Sequence, residues 1–526
     1  MNVIKNLVKT VLFLAIVVMG IWGLDSLFVA KNLEGRWDTL NTANSFYDLP
    51  DDSIDVFFVG TSSIASAVDP FQLYEEYGMS AYNLGMASQS ADGTYFWLKE
   101  VFKRQSPSLI VMDAKTFGRF KRPIEPYCRK SFDAMRWSKT KLEYAQYYKN
   151  EYKKDKQKMI DSGQIVDEDK LTEYTSYFFP LEAYHSRWNS LNELDFVYAT
   201  GAEESKSLTR GYMMMGGRSG IEYEGIDFDV ETEECKLDEE AREYFYKILE
   251  LCEANNAQLM LVKTPDSDWV NEKIGAAARH QYVQKMADEK GVLFYDMNSK
   301  ELLKEMELDY KTDASDYMHL NTKGAKKTTS FLGKYIADNF KLKDYRNESG
   351  KIRDEIEKGL AAYKCEVEDA DLRMTFNITD YYASIENRER YSFIITTGDG
   401  FDGTFTENQK QQMYNMGFTR KMVEVIQNNK NMIAIVDGDR KYLEYGDLTD
   451  NEANTLSLTR EDKLRDGTII KVVSMKGSQS ITIGTNNEII NKYDKCYMIT
   501  YDNTTHKVVD AVYFDKDDNG VTRTAR

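Results

Sequence analysis

The sequence predicts an α/β protein in which a three-layer parallel sheet follows an N-terminal membrane helix and precedes a C-terminal, β-rich α+β domain. An apolar run fills much of the first 30 residues, and short apolar runs then alternate with longer amphipathic stretches up to about residue 340. From about residue 345, the chain changes to short strand-like runs broken by Gly, Asn and Asp. At about 150 residues per domain, 526 residues suffice for two to four folded units.

The composition excludes several kinds of partner. With 68 Lys and Arg against 86 Asp and Glu, the formal charge is −18, so the chain has no general attraction to polyanions and we expect no nucleic-acid partner. The five cysteines form no CxxC pair and there are only four histidines. We therefore expect no metal site.

Residues 1–30 have the pattern of a membrane anchor. Two lysines precede an uncharged, mostly apolar run from Thr10 to Leu24. Bulky Phe28 stands where signal-peptide cleavage needs a small residue, so we favour an uncleaved single-pass anchor over a removed signal peptide or a buried core helix. By the positive-inside rule the N-terminus is cytoplasmic and the later domains lie outside the membrane. Residues 31–53 are interpreted as a polar linker.

Residues 54–345 are predicted to form the parallel sheet and its helices. Apolar runs predict five strands, at 54–59, 81–84, 109–112, 257–262 and 292–295. A segment at about 119–234, rich in Tyr, Lys and Trp, breaks the alternation and is interpreted as an insertion, either a substrate wall or a packing layer. Residues 346–526 form the predicted β-rich domain.

Two short motifs carry the candidate chemistry. A Gly-Thr-Ser-Ser turn at 60–63 ends the first strand and places Ser62 at the carboxyl edge of the sheet, where open α/β sheets bind ligands. Asp316 and His319 follow the last predicted strand and can reach the same edge. A serine hydroxyl becomes a good nucleophile when an imidazole accepts its proton and a carboxylate orients that imidazole. Taken singly, each motif is also typical of an ordinary turn.

Together these motifs resemble the blocks of the SGNH/GDSL hydrolase superfamily over about residues 50–340. The first block is matched by Gly60-Thr61-Ser62, the second by Gly85 in Asn83-Leu84-Gly85, and the last by Asp316 and His319. The resemblance implies a flavodoxin-like three-layer sheet, Ser62 as nucleophile, His319 as general base and Asp316 as its partner. It also implies that the backbone N–H groups of Ser62 and Gly85 bind the oxyanion.

The sequence departs from the superfamily at its third block. The Gly-x-Asn-Asp that supplies another oxyanion donor is missing after the third strand, which continues as VMDAK at 111–115. Three side chains are candidates for that donor: Gln89, Thr116 and Asn83. Ser63 is the alternative nucleophile, although the Gly-x-Ser register favours Ser62. The N-terminal span, the Gly-x-Ser-Ser form and the missing block look more like the membrane-anchored DltD-like and polysaccharide O-acyltransferase branch than like a free lipase.

Four further residues are candidates for substrate contacts. In the insertion, Tyr184, Arg187 and Trp188 bring aromatic rings beside a guanidinium, an arrangement that binds a sugar or an anion, or that simply packs. Asn321, two residues after the histidine of the last motif, is the fourth.

The C-terminal domain has a second resemblance. Its runs at 391–399 and 497–515 are similar to interleukin-like EMT inducer (ILEI, pander-like) domains. That similarity implies a lectin-like binding module, and the alternative is a β appendage that packs on the first domain.

The leading hypothesis is an extracytoplasmic, membrane-anchored serine acyltransferase or esterase. It would act on O-acyl groups of cell-envelope glycans through an acyl-Ser62 intermediate, without a cofactor, and the DltD-like branch implies a membrane-bound O-acyltransferase as partner. One alternative is a non-catalytic cell-surface protein that binds glycan with a degenerate SGNH fold, which the missing third block supports. The other is a secreted lipid esterase, for which the insertion is rather polar.

Overall fold

The computed structural model describes residues 2–29, 39–117, 125–163, 175–202, 205–229, 239–267, 275–397, 405–427, 431–446, 457–475, 478–484, 487–492, 496–514 and 521–523. The chain divides into two units, Met1–Leu360 and Ala361–Arg526. The division falls later than the sequence predicts because the first half of helix Lys351–Leu372 bonds to the first unit. There the hydroxyl of Tyr74 donates to Glu357 at 2.6 Å, and Arg210 forms an ion pair with Glu355.

A five-stranded parallel sheet forms the centre of the first unit, which confirms the predicted fold class. Its spatial order is β2-β1-β3-β4-β5. This is the flavodoxin-like strand order, in which the direction of winding reverses between β1 and β3. The strands are β1 Val56–Gly60, β2 Ala81–Gly85, β3 Leu109–Asp113, β4 Gln258–Lys263 and β5 Leu293–Asp296.

Both faces of this sheet are covered, which explains why its strands have continuous apolar sequences. In β1, Phe57 and Val59 belong to the core on one face, while Val56 and Phe58 belong to the core on the other. All five residues of β1 are buried. A strand buried on both faces cannot alternate apolar with polar residues, so its apolar run identifies it in the sequence.

Helices surround the sheet and also form much of the described insertion up to residue 200, whereas its residues 205–229 contain no α-helix. They are α1 Asn2–Phe28, α2 Thr39–Asp48, α3 Ser62–Ala67, α4 Pro70–Tyr77, α5 Ala91–Val101, α6 Glu125–Ala134, α7 Lys139–Asp161, α8 Thr175–Phe178, α9 Pro180–Tyr184, α10 Glu193–Thr200, α11 Glu239–Ala254, α12 Ala276–Asp288, α13 Lys300–Glu305, α14 Tyr310–Asp313, α15 Thr322–Asn339 and α16 Lys351–Leu372. Short 3₁₀ turns lie at Ala114–Thr116, His185–Asn189 and Tyr345–Asn347. The insertion packs on α5 through stacked aromatic rings, with Phe96 and Tyr144 4.3 Å apart.

The prediction of a linker at 31–53 is wrong for its second half. Residues 39–48 form α2, and Ala43, Phe46 and Tyr47 are buried in the core of the first unit. The ring of Phe46 lies 6.1 Å from those of Phe57 and Trp97. The surrounding Asn, Thr and Ser residues hide this short apolar face in the sequence.

In its described residues, the second unit contains two antiparallel sheets and three further helices. One sheet has the order β15-β14-β13-β6-β7-β8 and the other has the order β12-β11-β10-β9. The strands are β6 Tyr391–Thr397, β7 Asn431–Asp437, β8 Arg440–Gly446, β9 Leu458–Lys463, β10 Ile469–Met475, β11 Ser478–Ile483, β12 Asn487–Lys492, β13 Cys496–Asp502, β14 Lys507–Phe514 and β15 Val521–Arg523, and the helices are α17 Ile378–Ile385, α18 Glu407–Asn415 and α19 Arg420–Gln427. This arrangement confirms the predicted β-rich α+β character.

The helix α1 is the candidate membrane span. Its residues Ile4–Phe28 have a mean hydropathy of 2.3 in their most apolar window, and that window is unburied. Among the described residues, it is the one helix that is long and apolar enough to cross a bilayer.

Candidate active site

Ser62 is the first residue of a helix that starts immediately after strand β1. Thr61 caps that helix, α3, by accepting a hydrogen bond from the backbone N–H of Ser63 on its side chain. The hydroxyl of Thr61 in turn donates to Asp113 at the end of β3. The sequence predicts a turn at Ser62, whereas the structure places Ser62 in the first turn of a helix.

Gly60 makes this sharp turn possible. Its φ of +131° is strained for any residue with a side chain, and a Cβ there would lie 2.6 Å from the Cβ of Asp113. The glycine therefore lets β3 approach the point where the chain turns from β1 into α3. This approach holds the oxygen of Ser62 at the carboxyl edge of the sheet.

Ser62, His319 and Asp316 form a continuous chain of hydrogen bonds. The Oγ of Ser62 lies 2.8 Å from Nε2 of His319. On the other side of the ring, Nδ1 lies 2.9 Å from Oδ2 and 3.0 Å from Oδ1 of Asp316. A carboxylate only accepts hydrogen bonds, so Nδ1 carries the proton and Nε2 is left to accept the proton of the serine.

The environment of Asp316 keeps its carboxylate ionised. Burial raises the pKa of Asp316, but hydrogen bonds and the charge of His319, together with backbone N–H groups of Met318 and His319, outweigh burial and lower the pKa below its usual value. The two backbone bonds also fix the carboxylate under the imidazole. Asp316 can therefore both orient His319 and stabilise its positive charge.

Asn321 stabilises this loop through the hydrogen bonds of its side chain. That side chain is therefore not free to face the space in front of Ser62. Its Oδ1 accepts from the N–H groups of Lys323 and Gly324, which caps α15. Its Nδ2 donates to the carbonyls of Gly217 and Thr312, and the residue is fully buried. The structure thus assigns Asn321 a capping contact where the sequence suggested a substrate contact.

The backbone N–H of Ser62 is placed to bind an oxyanion, whereas that of Gly85 is already engaged. As the first residue of α3, Ser62 has no carbonyl within the helix to receive its N–H. The N–H of Gly85 donates to Oδ1 of Asn83 at 2.9 Å. Gly85 instead serves as a close contact, because a Cβ there would lie 2.8 Å from the carbonyl oxygen of Thr61.

Of the three candidates for a further donor, the structure leaves Gln89 available. Nδ2 of Asn83 donates to the carbonyls of Ile64 and Val68, and the hydroxyl of Thr116 donates to the backbone carbonyl of Asp113. Gln89 is 2% exposed, and within the described part of the chain neither atom of its amide has a hydrogen-bond partner.

A buried ionic cluster behind Ser63 was not predicted as part of the site. The carboxylate of Asp266 lies 2.5 Å from Nζ of Lys115 and 3.0 Å from Nζ of Lys263. The hydroxyl of Ser63 donates to the same carboxylate at 3.3 Å. The signal in the sequence is that both lysines occur where β3 and β4 end, since parallel strands end at one edge of a sheet.

This cluster separates the roles of the two adjacent serines. Ser63 is 3% exposed and its hydroxyl is held by Asp266, whereas the hydroxyl of Ser62 faces His319. Burial raises the pKa of Asp266, but the charges of Lys115 and Lys263 outweigh it and bring the pKa to about 2. The geometry favours Ser62 as the nucleophile, as the Gly-x-Ser register does.

The aromatic and guanidinium groups of the insertion lie at the end of helix α1. Arg187 donates to the carbonyls of Phe28 and Val29, at 2.8 and 2.7 Å. The hydroxyl of Tyr184 donates to Asp133, and Trp188 is 71% exposed. The substrate contacts suggested for these residues remain untested predictions, and their observed bonds are to the insertion and to α1.

Several solved structures are similar to part of this chain, among them the following two. A proposed acylhydrolase from Bacteroides fragilis NCTC 9343 is 12% identical, with 58% of this chain and 96% of that chain covered and a TM-score of 0.27. A GDSL-like lipase from Bacteroides thetaiotaomicron VPI-5482 is 10% identical, with 57% and 100% covered and a TM-score of 0.26. No family model matches the chain, and neither does any curated protein. Both TM-scores are low, so the chemistry of this chain is inferred from the geometry around Ser62 and not from these two proteins.

Replacing Asp266 by Asn is expected to lower the free energy of unfolding of the first unit by about 3–5 kcal/mol at pH 7, because two buried ammonium groups lose the carboxylate they share. All six tryptophans precede residue 361, so their fluorescence during urea unfolding in detergent reports this unit. The control Asp338→Asn removes the exposed partner of Lys334 and is expected to cost under about 0.5 kcal/mol.

The same comparison has an expected pH dependence. The pKa of Asp266 is lowered by folding to about 2, so its contribution is present above the usual carboxylate pKa of about 4 and is lost as the pH falls towards 2. The stability difference between wild type and Asp266→Asn should therefore shrink below pH 4. A difference that stays constant down to pH 2 would contradict this account of the cluster.

Proposed function

We propose that the first unit is an SGNH-type serine enzyme that forms an acyl-enzyme on Ser62. The observation that carries the proposal is the 2.8 Å contact between Oγ of Ser62 and Nε2 of His319, with Asp316 on the opposite nitrogen. These three side chains come from two segments on one edge of the sheet. Their order of hydrogen bonds is the one that nucleophilic acyl transfer requires.

The first half of the reaction would acylate the serine. Oγ of Ser62 attacks the carbonyl carbon of an ester while its proton passes to Nε2 of His319, and Asp316 stabilises the resulting imidazolium. The carbonyl oxygen becomes an oxyanion that the N–H of Ser62 binds. When the tetrahedral intermediate collapses, the bond to the alcohol oxygen breaks and that alcohol leaves with the proton from His319.

The second half would release the acyl group. A hydroxyl of water or of a glycan attacks the acyl carbon, and Nε2 of His319 accepts its proton. The bond to Oγ then breaks and Ser62 recovers the proton. Water as acceptor makes the protein an esterase, and a sugar hydroxyl makes it a transferase.

Gln89 is the side chain that we propose as second oxyanion donor. Its loop starts at Met86, whose N–H donates to the carbonyl of Gly60, so the loop is joined to the turn that presents Ser62. A buried amide without partners costs free energy, and such a cost is accepted where a ligand or a transition state completes the hydrogen bonds. The 2% exposure of Gln89 and its two unpartnered amide atoms support this role.

The proposed substrate is an O-acyl group on a cell-envelope glycan, and the proposed location is the outer face of a membrane that α1 spans. The apolar helix Ile4–Phe28 and the lysines near its N-terminus support an anchor with a cytoplasmic N-terminus. Transfer, with a membrane-bound O-acyltransferase as partner, follows from the resemblance to the DltD-like branch. The ILEI-like similarity of the second unit supports glycan binding there.

A non-catalytic glycan-binding protein is the second candidate, and the engaged N–H of Gly85 favours it because one expected oxyanion donor is occupied. The two candidates differ in whether Ser62 reacts with an acyl-enzyme probe.

Fluorophosphonate labelling tests the nucleophile directly. The wild-type chain should label, while Ser62→Ala and His319→Ala should fall to background and Asp316→Asn should label about 10²–10⁴-fold more slowly. Ser63→Ala is the matched control and should still label, because its hydroxyl belongs to the Asp266 cluster. A folded wild-type chain that does not label, or loss of labelling in Ser63→Ala alone, would refute the assignment of Ser62.

Gln89→Leu tests the second donor. We expect the labelling rate to fall by about 10²–10³-fold, since one oxyanion donor is lost, while the melting temperature stays equal or rises because a buried unpartnered amide is removed. Gln105→Leu should show the opposite pattern, because Gln105 accepts hydrogen bonds from Ser53 and Ile54. Wild-type labelling in Gln89→Leu would remove Gln89 from the mechanism.

The acyl content of envelope glycans distinguishes transfer from hydrolysis. In cells that produce Ser62→Ala in place of the wild-type chain, we expect less acyl acid to be released from the glycan by mild base. Cells with Ser63→Ala should resemble the wild type. A higher acyl content would identify an esterase, and an unchanged content would mean that glycan esters are not the substrate.

A further inference from the structure

The insertion has a surface at the end of α1 that neither the sheet nor the candidate active site uses. We call residues 179–200 the foot; it contains α9, the 3₁₀ turn and α10. Each of these three elements packs against α1. The foot and the candidate membrane span therefore form one packed structure within the first unit.

Polar bonds fix the foot to the last turns of α1. Arg187 donates from one nitrogen to the carbonyls of Phe28 and Val29, and its other nitrogen pairs with Asp195 at 2.7 Å. The backbone N–H of Leu181 donates to the carboxylate of Asp25 at 3.0 Å. Carbonyls at a helix end lack partners within the helix, so Arg187 caps α1 as well as holding it.

These bonds define the level of the foot relative to a bilayer. Asp25 lies within the candidate span Ile4–Phe28, three residues before its end, which at 1.5 Å per residue is about 5 Å along the axis. The polar interface on each side of a bilayer is about 5–7 Å thick. A segment that bonds to both Asp25 and Phe28 must therefore lie at the depth of that interface when α1 spans the membrane.

The foot presents three large apolar side chains to the outside. Their exposed fractions are 56% for Phe179, 71% for Trp188 and 54% for Phe196. Hydrophobic residues make up 42% of the chain, and most of those in the sheet domain are buried, so this exposure is unusual. Trp is typical of membrane interfaces, where its apolar ring and polar N–H each find a suitable environment. Exposed aromatics on a segment that packs against a candidate membrane span indicate contact with lipid more than with water.

Charge argues against simple attraction to anionic lipid. The foot contains Glu182, Glu193 and Asp195 and a single basic residue, Arg187, which is already paired with Asp195. A surface that bound acidic headgroups would be rich in Lys and Arg. Apolar burial of the aromatic rings is the interaction that remains.

We propose that the foot is a second membrane contact, in which Phe179, Trp188 and Phe196 insert into the interface of the outer leaflet beside α1. This inference rests on the proposed anchoring by α1. The foot would contact the lipid interface through its aromatic rings and not through attraction to charged headgroups. The contact would hold the first unit against the membrane in one orientation and not on a free tether.

Quenching by brominated lipids in reconstituted vesicles tests the proposal on the full chain. The fluorescence of the wild type minus that of Trp188→Phe isolates Trp188, and the corresponding difference for Trp22→Phe isolates a residue of α1. Trp97→Phe is the control, because Trp97 is fully buried in the protein core. Lipids brominated near the headgroup end of the chain should quench Trp188 at least as strongly as Trp22, with no quenching of Trp97, and 0.5 M NaCl should not change the result.

The outcomes separate the foot from the anchor. Quenching of Trp22 together with Trp188 supports the proposal. Quenching of Trp22 without Trp188 overturns the foot and leaves the anchor intact, and absence of both refutes the anchor and with it the foot. Circular dichroism and the melting temperature of each variant show that the difference spectra come from folded protein.

Discussion

The hydrogen bond between Ser62 and His319 joins residues that are 257 positions apart, and much of the first unit can be understood as what brings them together. Because β1 and β5 are parallel, the segments that follow them emerge at the same edge of the sheet. Gly60 permits the sharp turn after β1, and Thr61 fixes this turn by donating to Asp113. The loop before α15 is fixed by Asn321 and by the N–H bonds to Asp316. The hydrogen bond between Ser62 and His319 thus depends on the parallel sheet, on the helix caps Thr61 and Asn321, and on Gly60.

Three of the aspartates at this edge have different partners, which give them different roles. Asp113 receives the hydroxyl of Thr61 and the N–H of Lys115, so it fixes backbone. Asp266 is held by two lysines and is fully buried, so it neutralises charge inside the fold. Asp316 is hydrogen-bonded to the imidazole of His319, which also contacts Ser62. It can therefore stabilise the charge that forms when a proton passes from Ser62 to His319. The candidate mechanism selects Asp316 because its partner His319 also contacts the hydroxyl of Ser62, whereas the partners of the other two aspartates do not.

Much of the sheet domain could be predicted from the sequence, and the failures have physical causes. The five parallel strands were located within about two residues because strands buried on both faces are apolar throughout. Helix α2 was missed because only Ala43, Phe46 and Tyr47 mark its buried face, and α3 was missed because six residues are too few to show a helical period. In the second unit, β8 and β9 contain several Arg, Lys, Asp and Glu residues, so neither strand forms an apolar run that the sequence would show. The sequence proposed Ser62, Asp316 and His319 as partners. It could not show that the N–H of Gly85 donates to Asn83 or that Lys115 and Lys263 share Asp266, since an apolar strand pattern does not specify where polar side chains point.

The orientation of the first unit would decide which hydroxyl resolves an acyl-Ser62 intermediate. A unit on a flexible tether meets water and glycan in proportion to their concentrations, and water then dominates. If α1 spans a membrane as proposed, a foot fixed to α1 by Arg187 and Leu181 would remove that rotational freedom and hold Ser62 at a constant height above the bilayer. Holding two reactants in a fixed geometry raises their effective concentration by several orders of magnitude, so an acceptor presented at that height can compete with bulk water. On this argument the proposed contact at the membrane, distant from Ser62 in the sequence, would favour transfer over hydrolysis without altering any group in the active site.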